Sequence, residues 1–266
     1  MKLDELVILI KGAGEVASGV AHRLFRARFK LCLTETYHPL AVSRGVTFSE
    51  AVYDGGKEIE GVTAKLIKSA TEVNQVWAEN KLPLIIDPEA KIKDTLKPHV
   101  IVDAIMTKKS PKTKITDAPL VIGVGPGFRV GRDAHFIVES NHSENLGQVI
   151  FAGEAEKDTG IPVSIGGLTS ERVIHSPKSG LFLTNKEIGD IVNAGETIAS
   201  VDGQAIQAPI GGVVRALLRS ETEVDRGVKL AEMDQVNNTD ICFSIRDKMS
   251  AIGGGVLEAI LMRFNI

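Results

Sequence analysis

The stretch Val7-Ile-Leu-Ile-Lys-Gly-Ala-Gly-Glu-Val-Ala-Ser-Gly19 leaves few folds open, because an apolar run passes through two glycines straight into a helical pattern. Leu6–Ile10 reads as a strand and Val16–Arg28 as a helix. Gly12 makes the tight turn, Gly14 lets backbone approach a phosphate, and Ala17 permits close helix packing, a G-x-G-x-x-A pattern. Further units follow. Leu31–Thr34 and Val62–Ile67 read as strands, Thr71 caps a helix through Asn80, and the apolar runs Leu84–Ile86 and Val100–Val102 come next. Strands alternating with helices predict a parallel, doubly wound sheet.

This is the pattern of an α/β, Rossmann-like domain. Glu35 ends the second strand 23 positions after Gly12, near the distance expected for an acid that binds a ribose diol. The candidate cofactor-binding residues are Gly12, Ala13, Gly14, Glu15, Val16 and Glu35, joined by Gly125 and Gly127 of the rigid turn Gly125-Pro-Gly-Phe128. The first helix start can hold a phosphate without added basic groups, although Glu15 stands beside that site and repels it. The plainer alternative is that Gly12 and Gly14 only turn the chain.

Ligands of open parallel sheets bind beyond the carboxyl ends of the strands. Asp87 and Asp103 end two of them and can face the same crevice, as metal ligands or as an acid and base pair; Asp87 reads equally well as a cap for the following helix. His135 is the third catalytic candidate, although a histidine at such a strand position more often serves structure. Lys108 and Lys109 read as an anion contact or a solvated loop. Arg129, Arg132, Asp133 and Glu139 follow the Gly125 turn. Gly253-Gly-Gly255, read as opening a final helix Ile252–Phe264 with Arg246 and Lys248 just upstream, is a second candidate anion site or a flexible joint. No spaced set of metal ligands is visible.

After Leu120 helical patterns give way to short β-branched runs and turn glycines, and one self-similarity organises them. Sliding the chain by 32 positions lays Ser176-Pro-Lys-Ser-Gly-Leu-Phe182 on Ala208-Pro-Ile-Gly-Gly-Val-Val214 and Gly189–Asp202 on Glu221–Asp234. The identical pairs are Pro177/Pro209, Gly180/Gly212, Val192/Val224, Gly195/Gly227, Ala199/Ala231 and Asp202/Asp234. Two such halves make a small β sandwich, and the pattern resembles the barrel-sandwich hybrid fold of biotinyl and lipoyl domains. In those domains the modified lysine stands in the joining hairpin. Here Val201-Asp-Gly-Gln204 occupies that place, a tight-turn signal, so no biotin or lipoyl attachment is expected. Lys178 is the one lysine near a tip. The expected organisation is a Rossmann-like nucleotide-binding domain over 1–130, a β-rich connecting segment over 131–170, the barrel-sandwich domain over 171–236, and a C-terminal strand (Ile241–Ile245) and helix over 237–266 packing back on the first domain.

The net charge of −3 gives no general attraction to nucleic acid or anionic membrane. Leu6–Ile10 is too short for a signal-peptide core or a membrane span, so a cytoplasmic protein is expected. Cys32 and Cys242 lie far apart in apolar surroundings and read as reduced, buried thiols.

Taken as a whole, KGAGEVASG, FSEAVYDG (Phe48–Gly55), IDPEA (Ile86–Ala90), VIGVGPGF (Val121–Phe128), GEAEKDTGIP (Gly153–Pro162) and IGGGVLEAIL (Ile252–Leu261) resemble the accessory protein family of selenium-dependent molybdenum hydroxylases, the YqeB type. The glycine entry is also similar to the Rossmann part of XdhC-type chaperones of molybdenum cofactor insertion. The resemblance implies a maturation factor that holds a nucleotide, NAD(P) or molybdopterin dinucleotide, in the crevice. It also implies partners among molybdenum hydroxylases or their cofactor-maturation proteins, with a homo-oligomer open. The chain departs from the family pattern in Ser140-Asn-His-Ser-Glu-Asn145, where a basic, glycine-containing segment is expected, and in Ser43 beside Arg44. The competing readings are an NAD(P)-dependent oxidoreductase using the same crevice and a non-catalytic scaffold docking a partner hydroxylase.

Overall fold

The computed structural model describes residues 2–106, 112–236 and 238–265. It divides into two compact units: Met1–Pro39, Thr47–Asp158 and Ile245–Ile266 form one, Leu40–Val46 and Thr159–Ser244 the other.

In the first unit the apolar runs become strands because each can be covered on both faces. The elements in chain order are β1 (Val7–Lys11), α1 (Glu15–Arg26), β2 (Lys30–Glu35), α2 (Ala51–Asp54), β3 (Gly56–Ile59), β4 (Val62–Ile67), α3 (Val73–Ala78), β5 (Leu82–Ile86), α4 (Lys93–Leu96), β6 (Val100–Asp103), β7 (Leu120–Val124), β8 (Phe136–Val138) and β9 (Val149–Ile150). They form a nine-stranded sheet in the order β3-β4-β5-β2-β1-β6-β7-β8-β9. The strands from β4 to β8 run parallel, and β3 and β9 are antiparallel edges. The chain winds outward from β1 through β2 in one direction and returns to its other side with β6, so the strand order reverses between β1 and β6. Leu9, Cys32, Ile101 and Val121 pack beneath Val73, Val76 and Leu96 on the face of α3 and α4. Strand alternation turns Ile8 and Ile10 to the opposite face, where α1 buries Ala17, Val20, Ala21 and Leu24.

The second unit holds β10 (Val173–His175), β11 (Gly180–Leu183), β12 (Ile191–Val192), β13 (Thr197–Val201), β14 (Gln204–Gln207), β15 (Gly212–Leu217), β16 (Thr222–Val224) and β17 (Lys229–Asp234). Its two antiparallel sheets run β10-β17-β15-β12 and β14-β13-β11-β16. The 32-residue shift carries β10, β11, β12 and β13 onto β14, β15, β16 and β17, and so maps one sheet onto the other strand for strand. The related pairs Ile174/Ile206, Phe182/Val214, Val192/Val224, Ile198/Leu230, Ala199/Ala231 and Val201/Met233 share one core. Gly180 and Gly212 hold φ of +151° and +140°, and a Cβ on either would strike Asp202 or Asp234 respectively. The joining hairpin turns on Asp202 and Gly203, both at positive φ (43° and 76°), with Val201 opposite Gln204: a two-residue turn of the type Asp-Gly favours. Arg44 Nε donates to Leu217 O at 2.7 Å and Leu217 N–H to Val42 O at 2.8 Å, which explains why Leu40–Val46 belongs with this unit.

Two expectations are corrected. Ile241–Ile245 is not a strand: Asn238 Oδ1 accepts the Asp240 N–H and starts a 3-10 turn over Thr239–Cys242. The last helix, α5 (Asp247–Phe264), begins well before the glycine triplet, in the first unit. The stretch 131–170 divides at Asp158, its first part supplying β8 and β9.

Candidate functional site

The carboxyl ends of β1, β6, β7 and β8 carry the residues of interest. Gly12 turns at φ +95° with its α-carbon against Ala104 and Ile105, which follow β6; Met106 reaches Gly125, which follows β7. Gly125 N–H donates to Val138 O at 2.9 Å, and Phe128 folds its ring over Gly123. The structure thus joins Gly12, the 104–106 segment and the Gly125–Gly127 turn into one ridge at the point where strand order reverses.

The glycine loop is clamped from behind. Ala13 N–H donates to Glu35 Oε2 at 2.9 Å, Ala13 O accepts from Ser18 Oγ at 3.0 Å and from Ser49 N–H at 2.9 Å, and Phe48 N–H donates to Ser18 Oγ at 2.8 Å. Sequence reasoning missed this use of the Phe48–Glu50 turn; its only signal is an apolar-polar cluster, FSEAV, after the second strand. Ser49 and Thr47 hydroxyls are wholly buried and have no hydrogen-bond partner among the described residues. In front, the loop is open. Gly14, the N-cap of α1, has no capping side chain, and a Cβ built on it would meet nothing within 4 Å. Glu15 and Val16 are half-buried beside it. Glu35 therefore reaches the glycine loop, and its Oε1 accepts the Thr36 N–H at 2.7 Å. Each oxygen retains a second lone pair for a hydroxyl donor.

Asp87 and Asp103 are not brought together. Their strands β5 and β6 are separated by β2 and β1, about 14 Å at the usual strand spacing. Asp87 Oδ2 accepts Ile92 N–H at 2.7 Å, holding the loop into α4, which is the capping alternative. Asp103 is buried, with Lys11 Nζ at 3.1 Å and Thr113 Oγ1 also bonded to it, a contained ion pair under the sheet end. A lysine closing an apolar strand was the signal for this pair. His135 lies at the opposite, amino end of the sheet, where Nδ1 accepts Val121 N–H at 3.0 Å; burial, then the Arg263 charge, lowers its pKa. It repeats what His99 does for Val7 N–H, a structural role.

The Gly253–Gly255 anion site is also corrected. These glycines lie inside α5, where the helix uses their N–H groups, and they let it pack closely: a Cβ on Gly253 would meet Arg23 and Gly19 O, and one on Gly255 would meet Gly147 O. Met249 lies against Gly19 in the same seam, so α5 runs parallel to α1 with both amino ends at the carboxyl end of the sheet. Arg246 Nε stands 3.3 Å from Glu15 Oε1, offsetting the acid beside the glycine loop.

Of the remaining candidates, Arg132 forks onto Asp133, which also accepts Arg129 N–H, within an exposed turn. Glu139 is buried and accepts the N–H groups of Ser140, Asn141 and Glu156. In the 140–145 segment, Asn145, Asn141 and Ser143 donate to Glu156 and hold its carboxyl below the usual range, so this segment serves loop structure in place of basic groups. Lys178, half-buried, stands 4.0 Å from Asp202 across the hairpin. Lys108 and Lys109 lie outside the described residues. Among the described residues no cluster of three or more His, Cys, Asp or Glu could hold a metal ion, and no helix is long and apolar enough to cross a membrane.

No protein-family model matches the chain. It is 41% identical over 256 residues to the uncharacterized protein YqeB of Escherichia coli K12, covering 96% of this chain and 47% of that protein. The chain thus spans about half the length of that relative. Among solved structures, an aspartoacylase family protein of Mesorhizobium loti is similar at 15% identity and a TM-score of 0.26, covering 86% of this chain and 84% of that one. TcdA (CsdL) is similar at 10% identity and a TM-score of 0.30, covering 99% and 90%. Likeness at that level fixes neither fold nor chemistry.

Proposed function

We propose that the crevice at the strand-order reversal is a Rossmann-like nucleotide site, and that the protein serves as an accessory factor in maturation of selenium-dependent molybdenum hydroxylases. The observation that carries the first part is Gly14: an uncapped helix start, open in front, on a loop fully clamped from behind. The N–H groups of the first turn of α1 supply the donors that a phosphate accepts, and the helix dipole adds to them. Glu35, with a free lone pair on each oxygen, can take a ribose hydroxyl. The residues fit a nucleotide moiety, NAD(P) or the nucleotide end of a molybdopterin dinucleotide; the bound cofactor would supply any redox or metal chemistry. The maturation role rests on the resemblance through the six segments KGAGEVASG, FSEAVYDG, IDPEA, VIGVGPGF, GEAEKDTGIP and IGGGVLEAIL.

The second unit, read as a barrel-sandwich hybrid without an attachment lysine, is a rigid module suited to meeting the partner hydroxylase. Among the described residues, Asp87, Asp103 and His135 are all engaged structurally, which disfavours a dehydrogenase using them as a proton-transfer pair. Titration with AMP, ADP, NAD(P) and molybdopterin dinucleotide, followed by calorimetry, tests the reading. Binding of one or more of them supports it, and no binding to any at millimolar concentration refutes it. Hydride transfer from bound NAD(P)H would favour the oxidoreductase instead.

A further inference from the structure

The two edges of the nine-stranded sheet are finished differently. At one, β3 carries Lys57 and Glu58 between Asp54 and Glu60, charges of the kind that keep an edge strand from recruiting another. At the other, β9 lies in Leu146-Gly-Gln-Val-Ile-Phe-Ala-Gly153, which has neither a charge nor a proline. Its outer backbone is open. Glu139 N–H donates to Gln148 O at 2.9 Å and Ile137 pairs with Ile150, so residues 148 and 150 turn their backbone groups to β8 while those of Val149 and Phe151 face outward. The side chains show the same unfinished edge. Phe136 and Phe151 meet edge-to-face with ring centres 5.5 Å apart, on the face where Val138 lies against Gly255 of α5, yet Phe151 is 54% exposed. Met262, two turns beyond Gly255 on the same stripe of α5, is 50% exposed. A single exposed leucine needs no explanation, whereas two large apolar side chains beside an uncharged strand edge mark a contact surface.

We propose that β9 pairs with β9 of a second copy of this chain, antiparallel across a twofold axis at Ile150, joining the first units of the two copies into one continuous sheet. The register follows from the backbone. Val149 of one copy exchanges both N–H···O bonds with Phe151 of the other, the twofold repeats the exchange, and Ile150 faces Ile150 as the non-hydrogen-bonded pair between them. The strand is thus its own complement in hydrogen bonds, and its neutrality leaves no like charges to repel. Each Phe151 lies across from Val149 of the other copy, on the face that α5 covers, and extends the row begun by Phe136. The charged β3 edge resists further addition, so the assembly closes as a dimer instead of growing into a fibre. The contact is at the low end of interface sizes, and a dissociation constant on the order of 10 µM is expected. It does not depend on the nucleotide reading.

Sedimentation velocity of the whole chain over roughly 1 to 200 µM brackets that constant, with Phe151→Lys, Val149→Pro and, as a control, Leu183→Ser at an exposed leucine of the second unit. The wild type should pass from monomer to dimer across the range. A dimer covers two Phe151 rings, each about half exposed, together about one whole phenylalanine, so Phe151→Lys should weaken dimerisation at least about tenfold. Val149→Pro removes an outward N–H that β8 does not use, and should weaken the dimer while the dilute monomer unfolds at nearly the wild-type temperature. Leu183→Ser should change nothing. Oxidative crosslinking tests the register. The α-carbons of a non-hydrogen-bonded pair lie about 4.5 Å apart, within disulfide reach, so Ile150→Cys should crosslink to itself, whereas Ala152→Cys, opposite Gln148 of the other copy, should not. The native thiols Cys32 and Cys242 are buried. If Phe151→Lys or Val149→Pro fails to fold, self-crosslinking by Ile150→Cys decides. A monomer throughout the range, as an edge kept for a foreign strand would give, overturns the inference. So does a dimer that a folded Phe151→Lys leaves intact or that Leu183→Ser breaks, and so does a dimer that Ile150→Cys fails to crosslink.

Discussion

Replacing Gly254 and Gly255 separately by alanine should move stability in opposite directions. Both lie inside α5, and alanine in place of glycine in a helix interior contributes about 1 kcal/mol. At Gly254 an added Cβ meets nothing within 4 Å, so the gain is kept. At Gly255 it would lie 2.0 Å from Gly147 O and 2.8 Å from Val138 Cγ1. Normal contact is roughly 3.5 Å, so helix and strand must part by more than about 1 Å. Gly147 cannot simply retreat, because its N–H is bonded to Glu139 O at 3.0 Å and its φ is +79°. Overpacking of this kind costs about 1 to 3 kcal/mol, which cancels or exceeds the helix gain and separates the two variants by that amount. Urea unfolding followed by fluorescence measures it. Trp77 is the sole tryptophan and lies in the first unit, its Nε1 donating to Leu31 O, so it reports on the unit that α5 closes. Equal gains in the two variants, at unchanged urea dependence, would refute the close seating of α5 and reopen the glycine triplet as a site.

Other consequences follow from the buried charges and thiol. Asp103→Ala strands Lys11 beneath the sheet and should cost about 3 kcal/mol or more in the same unfolding experiment, whereas a mainly catalytic aspartate would lower activity and leave stability intact. Arg172→Met should cost a similar amount, about 3 kcal/mol, by taking the Arg172 guanidinium from the buried Glu232 carboxylate, and Arg172→Met with Glu232→Leu should recover most of it. Burial, with a smaller contribution from Asp87, pushes the Cys32 thiol from 9.0 up to about 12. The folded thiol keeps its proton where the unfolded one has lost it, so this contribution is complete below pH 9 and is lost as pH rises toward about 12. Wild type should therefore lose more stability than Cys32→Val across that window, and identical pH profiles would contradict the burial.

Much of this architecture is written in short-range patterns. The 32-residue duplication was legible because each half buries the same positions, so selection for one shared core preserves spacing even where few residues are identical. The glycine loop was legible for a related reason: a strand, a positive-φ glycine and a helix must follow in that order. The antiparallel edge β3 was missed because its turn, Glu60-Gly61, lacks the Asn or Asp that usually marks such hairpins. Ile241–Ile245 is a short apolar run of strand length, and the Asn238 side chain that starts a turn outweighs the pattern. Asp87, Asp103 and His135 show a different limit. Strand-end position can be read from sequence, but the distance between strands and the partner that engages each side chain depend on sheet order, which long-range packing decides.

The central claim is that a phosphate approaches the backbone at Gly14, and one variant tests it cleanly. Gly14 has φ −68°, ordinary for any residue, and open space in front, so Gly14→Leu should fold with at most about 1 kcal/mol lost from the N-cap position. The decisive measurement is ADP affinity of wild type and Gly14→Leu at matched thermal stability. The account predicts binding by the wild type and its loss in Gly14→Leu, the new side chain filling the place of the phosphate. Equal affinity in the two proteins would contradict it.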